Sequence, residues 1–563
     1  MFKHPEICKT SIQLPIRGIN SFLIIFLTSI FINSSAFAQD KTNEIDKIFS
    51  WAKQNEPGCV CAVSQNGKVI LNRAYGSADL EREVPLSPNS VMDAGSVVKQ
   101  FVAASVLLLV EDGKLSLSED IHKYIPELPD YGHKITLDHL LTHTSGIRDW
   151  TGIRPLAEGD PDALTLTLRQ RGLNFIPGEE WSYSNSGYVL LKEIVARTSG
   201  MSFSEFTQKR LWEPLNMKST SYLADMTEVI KNRALAYKKE KDQWKLDMLL
   251  GNDRGGGGAL MSTAGDLLIW NDALNNGSLG KFVTEKIQEP AKLNNGRKLG
   301  YARGLNLDNR RGDNLVWHSG GAAGYSTLLA RLPGQGLSVA LMCNADGGAR
   351  SAYTSQIFDL LLPKAEKESV TKKPNENAGN ASITTPDLSG KTGLFFNEKT
   401  GQPLRLVANN NTLAIAGSGP LTAIANDRFQ KEEGSLFFMS EAAFELKFIS
   451  ADQFEIRTKD GATIPYHRAK GYKPTAAELN AFAGQYESNE MGSVLEMVPE
   501  KGGLLMRFYR NPAKAVQLMP VDHDTFMVGM MTVRFLRDKD GKVSGYNYSN
   551  PVVRNIKFSR LSN

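Results

Sequence analysis

The chain has 563 residues, of which 41% are hydrophobic and 22% are charged, and its formal net charge is +4. A chain of this length and composition can form more than one globular domain. The nearly balanced charge argues against binding to nucleic acid or to membranes through a polybasic surface.

The N-terminal segment has the parts of a secretory signal. Basic residues precede an apolar run over residues 22–32, and Ala36-Phe37-Ala38 supplies the small residues that signal peptidase requires. The apolar run is too short to remain as a membrane span. We therefore predict that residues 1–38 are removed after Ala38, and that the mature protein is secreted or periplasmic without a stable membrane span.

Two β-hairpins are predicted, one near each end of the segment that follows. Gly58–Ile70 and Leu71–Gly76 form the first, which turns at Asn66-Gly67. Trp317–Leu332 and Gly336–Cys343 form the second, which turns at a Pro-Gly pair. We expect strands from both chain ends to meet in one sheet.

Three cysteines, Cys59, Cys61 and Cys343, remain after removal of the signal. An odd and sparse set does not form the framework of a disulfide-rich domain. We expect all three to be buried small residues on strands.

The most informative pair of residues is Ser96 and Lys99. They lie three positions apart, just before the long apolar run from Phe101 to Val110 that predicts a helix. Since this spacing is nearly one helical turn, the lysine amine can reach the serine hydroxyl and activate it as a nucleophile without histidine. The same spacing recurs in less suitable contexts at Ser50/Lys53, Ser278/Lys281 and Ser369/Lys372.

His139 and His143 have the i, i+4 spacing of a zinc-binding helix. The glutamate that would serve as a base in such a site is missing from His139-Leu-Leu-Thr-His143. A role in the core or in helix capping is therefore the better interpretation, and no metal or other cofactor is predicted.

Two further motifs follow Ser96 in order. The first is Tyr183-Ser184-Asn185, and the second is His318-Ser319-Gly320. Two supporting segments, Leu140–Gly146 and Gly258–Leu268, lie between Ser96 and the last motif.

The C-terminal third changes in composition. Residues 364–386 are polar and predict a linker, whereas residues 387–472 and 473–563 show short alternating strands separated by turn residues. Leu388–Thr392 aligns with Phe482–Tyr486, which suggests an internal duplication. We expect all-β, barrel-like units, either two barrels or one shared barrel, that cover the cleft or hold an oligomer.

The three ordered motifs resemble the signature of the penicillin-recognising serine hydrolases, Ser-x-x-Lys, Ser/Tyr-x-Asn and Lys/His-Thr/Ser-Gly. The tyrosine at position 183 is typical of the branch that contains class C β-lactamases and D-alanyl-D-alanine carboxypeptidases. The resemblance implies an α/β (α+β) β-lactamase-like domain over residues 39–363, with an antiparallel sheet, flanking helices and a helical insert. The C-terminal units resemble the lipocalin-like barrels of D-stereospecific aminopeptidases in the same group.

The resemblance also assigns roles to the motif residues. Ser96 attacks a carbonyl while Lys99 and Tyr183 share its proton, and either of these two could be the base. Asn185 orients Lys99 and the substrate. The backbone N–H groups of Ser96 and Gly321 hold the oxyanion.

The third motif, His318-Ser319-Gly320, is expected to support substrate binding. His318 would assist Tyr183 or meet a substrate carboxylate. Because it stands where many β-lactamases carry lysine, attraction to that carboxylate is expected to be weaker and to strengthen as the imidazole becomes protonated at lower pH.

The fold does not select the substrate among small peptides, amides and esters. The favoured interpretation is a hydrolase of D-amino-acid peptides or amides, similar to D-Ala carboxypeptidases or D-aminopeptidases. An esterase or a class C-type β-lactamase is the alternative of the same class. An inactive penicillin-binding-like sensor is the alternative of a different class.

Overall fold

A computed structural model describes most of the chain after the predicted signal. The described residues are 41–225, 227–248, 258–345, 350–362, 387–409, 411–416, 419–431, 444–458 and 461–562. The predicted signal and the predicted linker over 364–386 lie outside these ranges. Among the described residues, no helix combines the length and the apolar character needed to cross a membrane.

The first part of the chain is built around an antiparallel sheet of six strands, in the order β10-β11-β12-β13-β1-β2. The strands up to residue 343 are β1 (Cys59–Gln65), β2 (Lys68–Tyr75), β3 (Ser77–Asp79), β4 (Val84–Pro85), β5 (Met92–Asp93), β6 (Ser221–Leu223), β7 (Tyr237–Glu240), β8 (Gln243–Leu246), β9 (Ala259–Ser262), β10 (Asn306–Arg310), β11 (Asp313–Ala322), β12 (Tyr325–Leu332) and β13 (Leu337–Cys343).

Helices cover both faces of this sheet, and most of them lie in the stretch between β5 and β10, which also contains the short strands β6 to β9. They are α1 (41–48), α2 (Val98–Glu111), α3 (Leu137–Leu141), α4 (Trp150–Ile153), α5 (Ala163–Arg169), α6 (Asn185–Ser199), α7 (Phe203–Thr207), α8 (Glu213–Leu215), α9 (Ala264–Asn276), α10 (Lys281–Ile287) and α11 (Arg350–Leu361). This arrangement confirms the predicted antiparallel sheet with flanking helices and a helical insert.

The alternation of side chains along β1 explains the layers. Val60 and Ala62 point into the core that contains α2 and α9, whereas Cys61 and Val63 point into the core that contains α1 and α11. Because successive residues of a strand face opposite sides, a strand buried on both faces is apolar throughout. The sheet is therefore the middle layer of three.

Strands from the two ends of this domain meet as expected. β1 pairs with β13 in antiparallel register, and β2 completes the first hairpin. The stretch predicted as one strand from Trp317 to Leu332 is instead two strands, β11 and β12. The turn between them is made by Ala323, which has φ +49°, and Gly324.

The cysteine prediction is partly wrong. All three cysteines are buried on strands, but Cys59 and Cys343 are directly opposite each other on β1 and β13 and form a disulfide. Their Cα atoms are 4.0 Å apart, although 284 positions separate them in sequence. Sequence spacing did not predict this pair because only strand pairing brings the two residues together. Cys61 is buried as a free thiol.

We expect reduction of this disulfide to lower the free energy of unfolding by about 2–5 kcal/mol, because the crosslink restricts a long loop in the unfolded chain. Thermal unfolding with and without a strong reductant measures the change. Cys59→Ser should unfold at the temperature of the reduced protein, whereas Cys61→Ala, the control, should keep its sensitivity to reductant. Equal unfolding temperatures for oxidised and reduced wild type would contradict the expectation.

The C-terminal part is all-β, as predicted, and contains two separate sheets. The first has nine antiparallel strands, and the second, called the barrel below, is a closed barrel of eight strands. The nine strands are β14 (Gly393–Asn397), β15 (Pro403–Asn409), β16 (Thr412–Ile415), β17 (Gly419–Pro420), β18 (Thr422–Ala423), β19 (Arg428–Lys431), β20 (Phe444–Ser450), β21 (Gln453–Thr458) and β22 (Thr463–Arg468).

A short helix, α12 (Ala476–Phe482), precedes the barrel. The barrel strands are β23 (Gly484–Ser488), β24 (Ser493–Glu500), β25 (Gly503–Phe508), β26 (Ala515–Asp522), β27 (Thr525–Val528), β28 (Met531–Arg537), β29 (Val543–Asn550) and β30 (Val553–Arg560). β23 pairs with β30, which closes the cylinder.

The two C-terminal sheets share a structural signature at their first strands. Gly393 and Gly484 begin β14 and β23 with φ of +136° and +143°. An added Cβ would meet the guanidinium of Arg468 at the first glycine and that of Arg560 at the second. The proposed alignment of Gly390 with Gly484 is therefore shifted by three residues, because Gly393 has the matching backbone.

The barrel packs on the segment that carries α4 and α5. Ile153, Leu156 and Leu166 are buried in the same apolar cluster as the inner residues of the barrel. Arg148 forms an ion pair with Glu490 of the barrel at 2.7 Å, and both side chains are largely buried. This contact joins the barrel to the chain segment that follows Leu140–Gly146.

Candidate active site

Ser96 lies in a single 3₁₀ turn, Gly95–Val97, that continues directly into α2. Gly95 has φ +54°, and a Cβ there would lie 2.6 Å from the backbone nitrogen of Gly321. Only glycine combines that backbone conformation with such a close approach. The turn therefore holds Ser96 against β11.

Lys99 is buried in the first turn of α2, with 3% of its surface exposed. Its Nζ lies 3.3 Å from Ser96 Oγ and 2.8 Å from Asn185 Oδ1. The same nitrogen sits 4.7 Å from the centre of the Tyr183 ring. The structure thus brings together the serine, lysine, tyrosine and asparagine that the sequence singled out.

The position of Asn185 follows from its place at the start of α6. Ser184 caps that helix by accepting a hydrogen bond from the Gly187 N–H. The first helical N–H, that of Asn185, is donated to Asp149 at 2.5 Å, and the Asn185 side-chain Nδ2 donates to the same carboxylate oxygen at 2.9 Å. Asp149 is fully buried and was not identified from the sequence.

The surroundings of Lys99 and Tyr183 shift the pKa values of these two side chains in opposite directions. Burial lowers the pKa of Lys99 to about 7, against the opposing attraction of Asp149. Burial raises the pKa of the Tyr183 phenol, although the neighbouring Ser96 hydroxyl acts in the opposite direction. Near neutral pH, the amine is therefore the group that exchanges a proton readily.

His318 lies at the centre of β11 with both ring nitrogens beside protein groups. Nδ1 is 2.6 Å from the Ser319 carbonyl oxygen, and Nε2 is 3.2 Å from the Tyr301 hydroxyl. A carbonyl can only accept, so Nδ1 carries the proton and Nε2 is the acceptor. Burial lowers the pKa of His318 to about 3, which keeps the ring neutral.

This environment differs from the pH-sensitive carboxylate reader expected from sequence. A buried imidazole between Tyr301 and Ser319 does not become protonated between pH 5 and pH 8, because its charged form would lose solvation. The ring nitrogens of His318 contact Tyr301 and Ser319, and the ring centre of Tyr183 lies 6.4 Å from that of His318.

We therefore expect the ratio of kcat/KM for a carboxylate-bearing substrate to that for a neutral ester to stay constant from pH 5 to pH 8. Parallel assays with a fully ionised peptide carboxylate and a p-nitrophenyl ester measure this ratio. His318→Gln, which lacks a titrating ring, should show the same flat ratio. A wild-type ratio that rises as pH falls, and is flattened in His318→Gln, would restore the carboxylate-reading role.

The Tyr301 hydroxyl continues the polar contacts away from His318. It lies 3.2 Å from Nε2 of His143, whose Nδ1 accepts the Ser184 N–H. His143 is fully buried, and burial lowers its pKa well below the ordinary value. Its neighbour in the zinc-like pair, His139, instead joins the capping box of α3 with Thr136. His139 thus has the capping role favoured by the sequence, whereas His143 is a buried residue that also contacts the site through Tyr301 and Ser184.

Backbone groups of β11 complete the site next to Ser96. A Cβ on Gly320 would lie 1.9 Å from the Ala94 carbonyl oxygen and 3.1 Å from the Ser96 nitrogen. Gly320 and Gly321 therefore bring the backbone of β11 into close contact with the nucleophile turn. The two N–H groups predicted to hold an oxyanion, those of Ser96 and Gly321, lie on facing segments.

Sequence reasoning missed Asp149, Tyr301 and His143 as parts of this network. Asp149 follows the Leu140–Gly146 segment by three residues, and its one local signal is its position before α4, which it caps. Tyr301 precedes the last motif by 17 positions and has no motif of its own. Their proximity to the motif residues depends on tertiary packing.

Comparison with known proteins supports the family resemblance that the three sequence motifs indicated. A protein-family model described as Beta-lactamase matches residues 43–362, which is more than half of the chain. Penicillin-binding protein 4* of Bacillus subtilis (strain 168) is 29% identical over 318 residues, covering 52% of this chain and 69% of its own length. D-aminopeptidase of Brucella anthropi is 24% identical over 533 residues, covering 90% of this chain and 95% of its own.

The fold is also similar to a solved structure, that of the octameric penicillin-binding protein homologue from Pyrococcus abyssi. The TM-score is 0.51 at 21% identity, and the match covers 85% of this chain and 98% of that chain. Together with the family match over residues 43–362, this confirms the predicted resemblance to penicillin-recognising serine hydrolases. The chain belongs to the beta-lactamase family and is a serine hydrolase.

Proposed function

We propose that the protein hydrolyses D-amino-acid peptides or amides through an acyl-enzyme on Ser96. The observation that carries the mechanism is the contact of the Lys99 amine with Ser96 Oγ at 3.3 Å, with the amine held by Asn185 Oδ1 at 2.8 Å. A neutral amine donates to Asn185 and keeps its lone pair for the serine proton. The pKa of about 7 makes that form available at neutral pH.

The first half of the reaction forms the acyl-enzyme. Lys99 takes the Ser96 proton as Oγ bonds to the substrate carbonyl carbon, and the resulting oxyanion is held by the Ser96 and Gly321 N–H groups. The carbon–nitrogen bond then breaks, and the leaving amine receives a proton. Tyr183, which stays protonated because burial raises its pKa, is suited to relay that proton from Lys99.

The second half releases the product. A water molecule attacks the acyl ester and gives its proton to Lys99, and the Ser96 oxygen leaves with a proton returned from the lysine. The acid is released and the site returns to its starting protonation state. Each group is used twice in the same geometry.

The substrate class is proposed from the relatives. The match to D-aminopeptidase of Brucella anthropi runs over 90% of this chain, and so includes the C-terminal β-sheets as well as the catalytic domain. An oligomer held through those sheets stays a prediction from sequence.

The disulfide supports the proposed location outside the cytoplasm. Cys59 and Cys343 form a buried crosslink, and such bonds persist in the oxidising environment of the periplasm or the medium. N-terminal sequencing of the secreted protein should give Gln39 as its first residue. A mature chain that begins at Met1 would contradict both the signal and the cleavage site.

The experiment that tests the function has two steps. Labelling of the purified protein with a fluorophosphonate should place one adduct on Ser96, and an unlabelled serine would indicate the inactive sensor. A panel then compares D-aminoacyl p-nitroanilides, D-Ala-D-Ala peptides, p-nitrophenyl esters and nitrocefin. We expect kcat/KM to favour the D-aminoacyl compounds over their L-enantiomers by about 100-fold or more. Faster turnover of simple esters or nitrocefin would assign the protein to one of the alternatives.

A further inference from the structure

We propose that Asp149 is a positioning residue for Lys99, and that the barrel holds Asp149 in place through the turn Asn550–Val553, here called the barrel turn. The inference rests on the proposed function, because it concerns the lysine that acts as the base. In this proposal, the barrel helps to position the catalytic lysine. The contacts that carry it form one continuous path.

The first step of the path is the orientation of the Asn185 amide. Both its backbone N–H and its Nδ2 donate to Asp149 Oδ2, at 2.5 and 2.9 Å. An ionised carboxylate only accepts hydrogen bonds, so the Asn185 amide must turn its nitrogen toward Asp149 and its oxygen toward Lys99. The oxygen then lies 2.8 Å from Lys99 Nζ. Asp149 thereby fixes the direction of the lysine amine.

The second step is the anchoring of Asp149 itself. Its Oδ1 accepts hydrogen bonds from the Thr151 N–H and hydroxyl at 2.8 and 2.7 Å. Its own backbone N–H donates to the carbonyl oxygen of Val552 in the barrel turn at 3.3 Å. The same carbonyl accepts from Asn174 Nδ2 at 2.9 Å. One peptide group of the barrel thus joins two segments of the catalytic domain.

The third step is the rigidity of the barrel turn. Asn550 Nδ2 donates to the Gly152 carbonyl oxygen at 2.8 Å. From the other side, Gln402 of the nine-stranded sheet donates to the carbonyl oxygens of Asn550 and Pro551 at 3.1 and 2.9 Å. A Cβ on Gly152 would lie 2.8 Å from Val552 Cγ2. The segment after Asp149 is therefore closely packed against the barrel turn.

The charge of Asp149 affects the pKa of Lys99, which can be measured. The Asp149 carboxylate favours the protonated form of Lys99, whereas burial and Lys192 disfavour it. The titratable or charged groups around Lys99 are Asp149, Tyr183, Tyr188, Lys192, His143 and His318. Of these, Asp149 is the carboxylate, so any change in its distance from Lys99 moves the pH at which the amine loses its proton.

The test begins with Asp149→Asn. An asparagine offers one acceptor oxygen instead of two, so it cannot accept from both Thr151 and Asn185, and the orientation of the Asn185 amide toward Lys99 is held less firmly. We expect kcat to fall by about 10- to 100-fold. We also expect the rising limb of the pH–rate profile to move to lower pH by about 0.5 unit or more, since the attraction that favours the ammonium is lost. A purely structural residue would lower the rate without moving this limb.

The contribution of the barrel is tested with Asn550→Ala in the full-length protein. Removing the bond to Gly152 should loosen the barrel turn, lower kcat by about threefold to tenfold and move the limb in the same direction as Asp149→Asn, by less. The matched control is Asn547→Ala, the same substitution on the same strand. Its kcat and pH profile should equal those of wild type. Thermal unfolding confirms that each variant is folded.

The outcomes separate the inference from the proposed function. If wild type is acylated at Ser96 but the limb is unmoved in Asp149→Asn, or Asn550→Ala behaves as Asn547→Ala does, the inference is overturned and the function stands. If wild type is not acylated, the function fails, and the Lys99 pKa is then followed by NMR of ¹³C-labelled lysine, with Lys99→Arg for assignment. An unchanged Lys99 pKa in Asp149→Asn and Asn550→Ala would overturn the inference by that route too.

Discussion

Replacement of Ser96 by alanine should abolish hydrolysis of every substrate that wild type accepts, with kcat lower by about 10⁴-fold or more. The hydroxyl is the atom that bonds to the carbonyl carbon, and no neighbouring group replaces it in the geometry described. Lys99→Ala should lower kcat to a similar level, because a serine without its base is a poor nucleophile at neutral pH. Burst kinetics with a chromogenic ester measure acylation separately from turnover.

The controls distinguish chemistry from folding. Ser118→Ala changes an exposed serine away from the site and should retain wild-type rates. Tyr183→Phe should slow acylation less for an ester than for an amide, because an ester leaving group needs less help from a proton donor. Covalent labelling of Ser96→Ala at another serine would show that the nucleophile has been misassigned.

The second expected result is a rise in kcat/KM of about 100-fold between pH 5 and pH 8, followed by a plateau. Burial lowers the pKa of Lys99 to about 7, so the amine is mostly protonated and unable to accept the Ser96 proton below that pH. Each unit below the pKa reduces the neutral fraction about tenfold. A neutral ester is the appropriate substrate, since its own charge does not change over this range.

A neighbouring lysine provides a second test of the assignment of Lys99 as the base. Lys192 lowers the pKa of Lys99 by charge repulsion, so Lys192→Met should move the rising limb to higher pH. Lys99→Arg should be inactive across the range, because a guanidinium does not lose its proton. A flat profile from pH 5 to pH 9, or a limb near pH 10, would contradict the role of Lys99 as base.

The features that could be predicted from sequence are those set by local geometry. Ser96 and Lys99 face the same way because three positions make nearly one helical turn, so their spacing, together with the apolar helix that follows, indicated their contact. The first hairpin was likewise predictable, since Asn66-Gly67 favours the turn that joins β1 and β2. The second hairpin was predicted at its Pro-Gly turn, but the turn at Ala323-Gly324 was missed because its first residue gives no turn signal.

The features that escaped prediction depend on contacts between distant segments. Cys59 and Cys343 carry no pattern that pairs them, and the carbonyl of Val552 is a backbone atom that no motif could mark. In the sequence, Asp149 has only the signal of a residue that caps a helix. Its importance comes from α6, whose first residue presents both its N–H and its side-chain amide to the same buried carboxylate.

The pairing of β1 with β13 has a consequence for how the protein reaches its native state. The N-terminal hairpin is synthesised first, yet the strand that covers the open edge of β1 ends at Cys343, 284 positions after Cys59. Closing so long a loop costs chain entropy before any long-range contact forms, and topologies dominated by distant pairings fold slowly. During that interval, the uncovered edge of β1 is a template for pairing with other chains. Refolding should therefore show a slow phase that ends with β1–β13 docking, and aggregation should compete with it at high protein concentration.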